Sequence, residues 1–146
     1  MNIREAKNSD AKQLASLFHK HAVYEGNSLS TNENAIALCL MEDHPAHIIV
    51  VEQHGELKGY MSVIKQFSTW DMEYYLYMDC LYLEPELRGK GLGLQLMDIC
   101  KQLADQNSVK EIQWQTPVEN VKAIGFYEKL GATKKAKQRF FIRCCR

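Results

Sequence analysis

Three glycines alternate through Arg88-Gly89-Lys90-Gly91-Leu92-Gly93, between a run of β-forming residues and a run with helical periodicity. At such a strand-to-helix junction the first amides of the helix have no acceptor within the helix and point at whatever lies beyond its end. Glycine lets the backbone take positive φ and come close to a ligand, and the helix dipole favours an anion by about 0.3 to 2 kcal/mol. The segment therefore predicts an anion site. Spacing narrows the anion. A dinucleotide fingerprint begun at Gly89 needs glycine or alanine at position 94, where Leu94 stands, and a P-loop needs Gly-Lys-Ser/Thr, whereas Gly89-Lys90 runs into Gly91. Metal chemistry has no comparable pattern. The five cysteines (Cys39, Cys80, Cys100, Cys144, Cys145) show no C-x-x-C spacing and read as reduced thiols. The scattered histidines include His19 and His21, which diverge on a helix and read as structural or solvated.

The elements that must hold this turn can be traced from periodicity. Ile3 opens a short strand; Asn8-Ser9-Asp10 offers caps for a helix carrying Leu14, Leu17, Phe18 and Ala22. Ser30-Thr31 precedes a second helix through Ala35, Ile36, Leu38, Cys39 and Leu40, which must stop before Pro45. His47 to Glu52 and Leu57 to Phe67 form a hairpin about Gly55, and Glu73 to Leu83 is a strand dense in aromatics. The turn leads into an amphipathic helix with Leu94, Leu96, Met97, Ile99, Cys100, Leu103 and Ala104. Ile112 to Thr116 reads as a strand ended by Pro117, Val121 to Leu130 as a helix closed by Gly131, and Phe140 to Arg143 as a last strand. Hairpin-linked strands mixed with helices predict an α+β fold. It is a single domain over 1–146, with a mostly antiparallel twisted sheet of about six to seven strands flanked by about four helices.

Composition agrees with one folded unit: 146 residues, 46% apolar and 25% charged, with no linker, repeat or low-complexity stretch. Eighteen basic and eighteen acidic residues leave zero net charge, so no global field draws nucleic acid or an anionic membrane. No segment reaches the about 18 consecutive apolar residues of a membrane span, and Met1 to Lys7 lacks the apolar run of a signal peptide. The expectation is a cytoplasmic protein without nucleic-acid or membrane partners.

Arg88, Gly91 and Gly93 in this order resemble the phosphate-binding signature of the GNAT superfamily of acetyl-coenzyme A dependent N-acetyltransferases. The rest of the family's order accompanies it: the strand with Leu81-Tyr82-Leu83, the amphipathic helix, then Asn120 and Gly125-Phe126-Tyr127-Glu128-Lys129-Leu130-Gly131-Ala132. The resemblance implies that amides of Gly89, Lys90, Gly91, Leu92, Gly93 and Leu94 hold the pyrophosphate of acetyl-CoA beside Arg88. It further implies that main-chain groups of Leu81, Tyr82 and Leu83 meet the pantetheine arm, that Asn120 and Ala123 lie near the cofactor, and that the protein is a homodimer.

The implied reaction has two proton problems. An alkyl amine has a pKa of about 10.4, so about one molecule in two thousand is neutral at pH 7. Asp79, just before the pantetheine-pairing residues, is the carboxylate placed to take the proton or to orient the amine. Tyr127 matches the family's general acid for the departing thiolate, and amides in the splay between the aromatic strand and Ile112 to Thr116 would polarise the acetyl carbonyl.

Within the superfamily the closest resemblance is to the diamine and polyamine N-acetyltransferases, carried by Ala22-Val23-Tyr24-Glu25, Phe67-Ser68-Thr69-Trp70 and Tyr77-Met78-Asp79. It implies that Tyr24 and Glu25, with Asp79, bind the amine; Tyr24 and Glu25 could equally cap the helix. Two departures shift the acceptor away from polycations. Cys80 stands where a second carboxylate is expected, and Lys134-Lys135-Ala136-Lys137-Gln138-Arg139 replaces an acidic stretch. The expected reaction is direct acetyl transfer, through a ternary complex, to the primary amine of a small diamine- or polyamine-like or amino-acid-like molecule, with short monoamines or amino acids ahead of spermine. The alternatives are a non-catalytic acyl-CoA sensor or interaction domain on the same fold, and a protein or peptide acetyltransferase.

Overall fold

The computed structural model describes residues 1–28, 32–41 and 43–145. Its tertiary contacts separate into two compact units, Met1–Trp114 and Gln115–Arg146. The first holds a sheet of five strands in sequential order, β1 (Asn2–Glu5), β2 (Ala46–Gln53), β3 (Glu56–Ser68), β4 (Glu73–Leu83) and β5 (Ile112–Trp114). Neighbours from β1 to β4 are antiparallel, which the tight turn at Gly55 requires of β2 and β3 and the short link at 69–72 of β3 and β4. Three helices belong to this unit: α1 (Ala11–Tyr24), α2 (Glu33–Cys39) and α3 (Leu92–Gln106). Because α3 carries the chain from β4 to β5, that last pair is parallel, and it stops at Met78↔Trp114.

Strand alternation places the core. Ile48, Val50, Tyr60 and Tyr82 share one face with Leu14 and Leu17 of α1 and Ile36 of α2. Ile49 and Val51 point to the opposite face by the same period of two. Helix α3, with Leu96, Met97, Cys100 and Leu103 buried, packs on β4 and β5. At the N-terminus Asp10 caps differently from expectation. Its buried carboxylate accepts from Arg4 at 2.7 and 3.0 Å and from the Lys7 amide at 2.8 Å, so its side chain does not cap α1. The expected Ser30-Thr31 start of α2 lies outside the described residues, and Asn32 is the observed cap, accepting from Ala35 N at 2.8 Å.

The second unit contains α4 (Val121–Lys129). Gly131, at φ +84°, closes it with the paired bonds Gly131 N to Glu128 O and Ala132 N to Tyr127 O, which is the Schellman arrangement. The expected strand at Phe140 to Arg143 is not formed: 133–145 has no regular structure, and Phe140, Phe141 and Ile142 are exposed. β-propensity makes a strand only when a neighbouring strand takes up its ladder groups, and none does here among the described residues. The sheet accordingly has five described strands rather than six to seven.

Candidate active site

The glycine turn adopts the conformation its composition implies. Gly89 and Gly91 lie at φ +74° and +80°, and Gly91 is the N-cap of α3. A Cβ built on either would meet nothing within 4 Å, so backbone conformation, not crowding, selects glycine there. Helices α2 and α4 begin with capping asparagines, whereas no side chain caps α3. Its first-turn amides are thus available to an external acceptor, a donor set that fits a diphosphate. Arg88 does not reach outward from the turn. Its Nε donates to Leu83 O at 2.9 Å, and its guanidinium lies over the Tyr24 ring at 4.4 Å and near that of Tyr82 at 5.6 Å.

The strand end that leads into the turn is firmly held. Buried Glu84 is paired with Lys20 of α1 and Lys58 of β3, and its N–H donates to Lys58 O at 2.9 Å. Gly59 permits the close approach of β3: a Cβ there would stand 2.6 Å from Leu83 Cδ2 and 2.9 Å from Tyr82 O. Leu81, Tyr82 and Leu83 lie past the last β4–β5 pair. Tyr82 is buried in the core, so only its main chain is available to a ligand.

Within the same unit, α1, β3 and β4, with residues of α2 and β2, border an open cavity of about 480 Å³. Phe18, His21, Ala22 and Glu25 line it from α1, at the i, i+3, i+4, i+7 spacing of one helix face. Tyr60, Ser62 and Ile64 line it from one face of β3. From β4 come two consecutive residues, Asp79 and Cys80, which a regular strand would send to opposite faces. A bulge resolves this. The register pairs Ser62 with Cys80 and Val63 with Met78, leaving Asp79 as the extra residue and turning it into the cavity.

Glu25 reaches the cavity by a different device. It is the C-cap of α1, followed by Gly26 at φ +74°, with Gly26 N bonded to Val23 O and Asn27 N to Ala22 O. A carboxylate at the negative end of a helix opposes the dipole, so helix stability does not account for it. Tyr24, one residue earlier, is not among the cavity's lining residues; it lies under Arg88 instead. The cavity wall also contains His21 and Tyr60, which the sequence does not mark as functional. His21 Nδ1 hydrogen-bonds the Tyr60 hydroxyl at 2.5 Å, and its Nε2 lies 3.7 Å from Glu25 Oε1. Burial keeps the His21 pKa below its ordinary value and raises those of Tyr60 and of the Cys80 thiol, the latter also through the Asp79 charge. The signal that could have found His21 was its place three residues after Phe18 and four before Glu25, on one helix face.

In the second unit Asn120 is the N-cap of α4, its Oδ1 accepting from Ala123 N at 3.2 Å. Tyr127 and Phe126 pack as adjacent tilted rings 5.4 Å apart. Of the basic run, Lys134 is paired with Glu128.

The β4–α3 junction thus offers uncapped amides to an anion, and the bulged antiparallel sheet carries a cavity whose carboxylates suit a cation. Residues 11–132 match the family model described as Acetyltransferase (GNAT) family, and the chain belongs to that family. It is an N-acetyltransferase, and the family's acyl donor is acetyl-CoA. The sequence is 34% identical over 132 residues to YhfO, an uncharacterized N-acetyltransferase of Bacillus subtilis (strain 168), covering 90% of this chain and 89% of that protein. It is 26% identical over 141 residues to a thialysine N-epsilon-acetyltransferase of Sus scrofa, covering 89% and 82%. The fold matches that of aminoglycoside acetyltransferase meta-AAC0020 from an uncultured soil metagenomic sample with a TM-score of 0.79, at 16% identity and over 99% and 96% of the two chains. No helix among the described residues is long and apolar enough to cross a membrane.

Proposed function

We propose that the protein, acting as one domain over 1–146, acetylates the primary amine of a compact small molecule bound in the α1–β3–β4 cavity. One observation carries this reading: Glu25 and Asp79 both line a cavity with apolar walls, and no lysine or arginine is among its described lining residues. Two carboxylates in such a place attract one ammonium, and the walls of Phe18, Ile48 and Ile64 suit a short apolar body. The thialysine acetyltransferase named above supports a small amine acceptor. The Lys134 to Arg139 run supports an acceptor carrying a carboxylate over a long polycation. Acetyl-CoA supplies the activated acetyl thioester. The uncapped amides from Gly89 to Leu94 are the donors suited to its diphosphate, and the main chain of Leu81 to Leu83 is suited to its extended arm. Asn120 and Ala123 join this set by resemblance alone. Asp79, turned inward by the bulge, takes the proton of the incoming amine while Glu25 holds the ammonium. Tyr127 returns a proton to the departing sulfur, a role supported by the Phe126-Tyr127 pattern. The protein works in the cytoplasm, as a homodimer.

Coenzyme A release measured over a panel of monoamines, lysine analogues, diamines, spermine, aminoglycosides and peptides tests the reading. Short monoamines or lysine analogues should give the highest kcat/KM. Preference for spermine at low ionic strength, or turnover of peptides alone, would overturn it. Glutamine at Lys134, Lys135, Lys137 and Arg139 together should lower efficiency toward a carboxylated amine and spare a diamine.

A further inference from the structure

The wall that carries Glu25 contains a hydrogen-bonded chain that the proposed chemistry leaves without a task. His21 sits one turn before Glu25 on α1, its ring stacked on Tyr82 at 5.1 Å with the planes 25° apart, and edge-on to Tyr60. Packing on both sides fixes the ring plane, so its two nitrogens have assigned neighbours. Nδ1 meets the hydroxyl of Tyr60, which is 3% exposed, and Nε2 faces the Glu25 carboxylate. A neutral imidazole has one donor and one acceptor. A carboxylate only accepts, so the proton belongs on Nε2, and Nδ1 accepts from Tyr60 O–H. The donors then run in one direction: Tyr60 O–H to His21, and His21 N–H toward Glu25. At 3.7 Å the last contact is electrostatic and not a formed hydrogen bond, but its positive end is aimed at one carboxylate oxygen.

We propose that His21 is a positioning residue of the acceptor site, whose neutral Nε2–H tautomer, set by Tyr60, orients the Glu25 carboxylate for the amine and whose protonation weakens amine binding. The inference rests on the assignment of the cavity to an amine. The groups facing the imidazole are Glu25 at the end of its own helix, Tyr60 on β3, Asp79 and Tyr82 on β4, and Arg88 in the glycine turn. Burial and Arg88 resist the imidazolium while Glu25 and Asp79 favour it, and burial dominates, so the ring is neutral near pH 7. An imidazolium would carry a positive charge into the wall, compete with the ammonium for Glu25, and present a donor on Nδ1 where Tyr60 now donates.

Two variants separate the ring's halves. The amide nitrogen of His21→Gln takes the place of Nε2, keeping a donor toward Glu25 without a titrating group; His21→Asn keeps an acceptor toward Tyr60 and falls short of Glu25. At pH 8 the Gln variant should keep the amine KM within about threefold, and the Asn variant should raise it about tenfold, the scale of one hydrogen bond to a charged group. In both, kcat and the acetyl-CoA KM stay within about twofold. In the wild type the amine KM should climb as pH falls below about 6.5, and this climb should vanish in the Gln variant. Equal KM effects in Gln and Asn, or a climb that survives in Gln, would overturn the proposal. Long-range ¹H–¹⁵N spectra of the wild-type protein decide the tautomer independently of turnover and of how the variants fold: an Nε2–H signature supports the arrangement, and Nδ1–H refutes it. Should no amine be acetylated while the Nε2–H tautomer is seen, the assigned function fails and the His21 geometry stands.

Discussion

Arg88 and Tyr24 are stacked, with the guanidinium carbon 4.4 Å from the ring centre, while Arg88 Nε is tied to the Leu83 carbonyl at 2.9 Å. The glycine turn is thereby coupled to the last turn of α1, whose next residue, Glu25, lines the cavity. A cation–π contact of this kind contributes about 0.5 to 2 kcal/mol. Tyr24→Ala should therefore weaken acetyl-CoA binding by about 2- to 30-fold, and Tyr24→Phe, which keeps the ring face, should stay near wild type. Calorimetric titration with acetyl-CoA checks this; a loss in the Phe variant as large as in Ala would assign the effect to the hydroxyl.

Gly91 presents a purely conformational demand, since a Cβ there has open space but φ is +80°. A β-branched residue in the left-handed region costs about 1 to 3 kcal/mol. Gly91→Val should weaken acetyl-CoA by up to about a hundredfold, with Gly91→Asn milder because asparagine tolerates this region. Unchanged affinity in a folded Val variant would remove the turn from the cofactor site.

Asp79 and Tyr127 should fail in distinguishable ways. If Asp79 takes the amine proton, Asp79→Asn loses rate mainly near neutral pH and recovers as the amine deprotonates in alkaline solution. Tyr127→Phe should lower kcat by about 10² with acetyl-CoA affinity nearly intact. Pre-steady-state kinetics, with chemistry established as limiting, provide the check; flat losses across pH in Asp79→Asn would leave it only an orienting role.

Acid unfolding should show two separable components. His21, buried and neutral, has a folded pKa below its ordinary 6.5, so the unfolded chain binds more protons and stability declines as pH falls below about 6.5. Asp10 has its pKa lowered from 3.8, chiefly by the hydrogen bond from Arg4; its contribution is full above that value and is lost as pH falls further. Urea midpoints across pH should lose the first decline in His21→Gln and the second in Asp10→Asn. The latter should also cost about 2 kcal/mol at pH 7, because Arg4 loses one of its two carboxylate partners and keeps Glu52.

The glycine turn, the helix stripes and the Gly131 closure were all legible in the chain, because each depends on backbone conformation within a few residues. Glu25 and Asp79 are marked as carboxylates of interest by the family resemblance of the segments that carry them, not by local conformation. What turns Asp79 inward beside Cys80 is a bulge against Ser62 and Val63, seventeen residues and a hairpin away in register terms, and no local pattern specifies it. Likewise, Tyr24 and Glu25 are adjacent in the chain, yet the helical rotation between them gives one to Arg88 and the other to the cavity. His21 and Tyr60 meet only because α1 lies across β3. The segment 140–143 has strand composition but no described partner, and it stays irregular. Short-range conformation is encoded residue by residue; strand pairing and side-chain encounter are set by which distant segments the whole chain brings together.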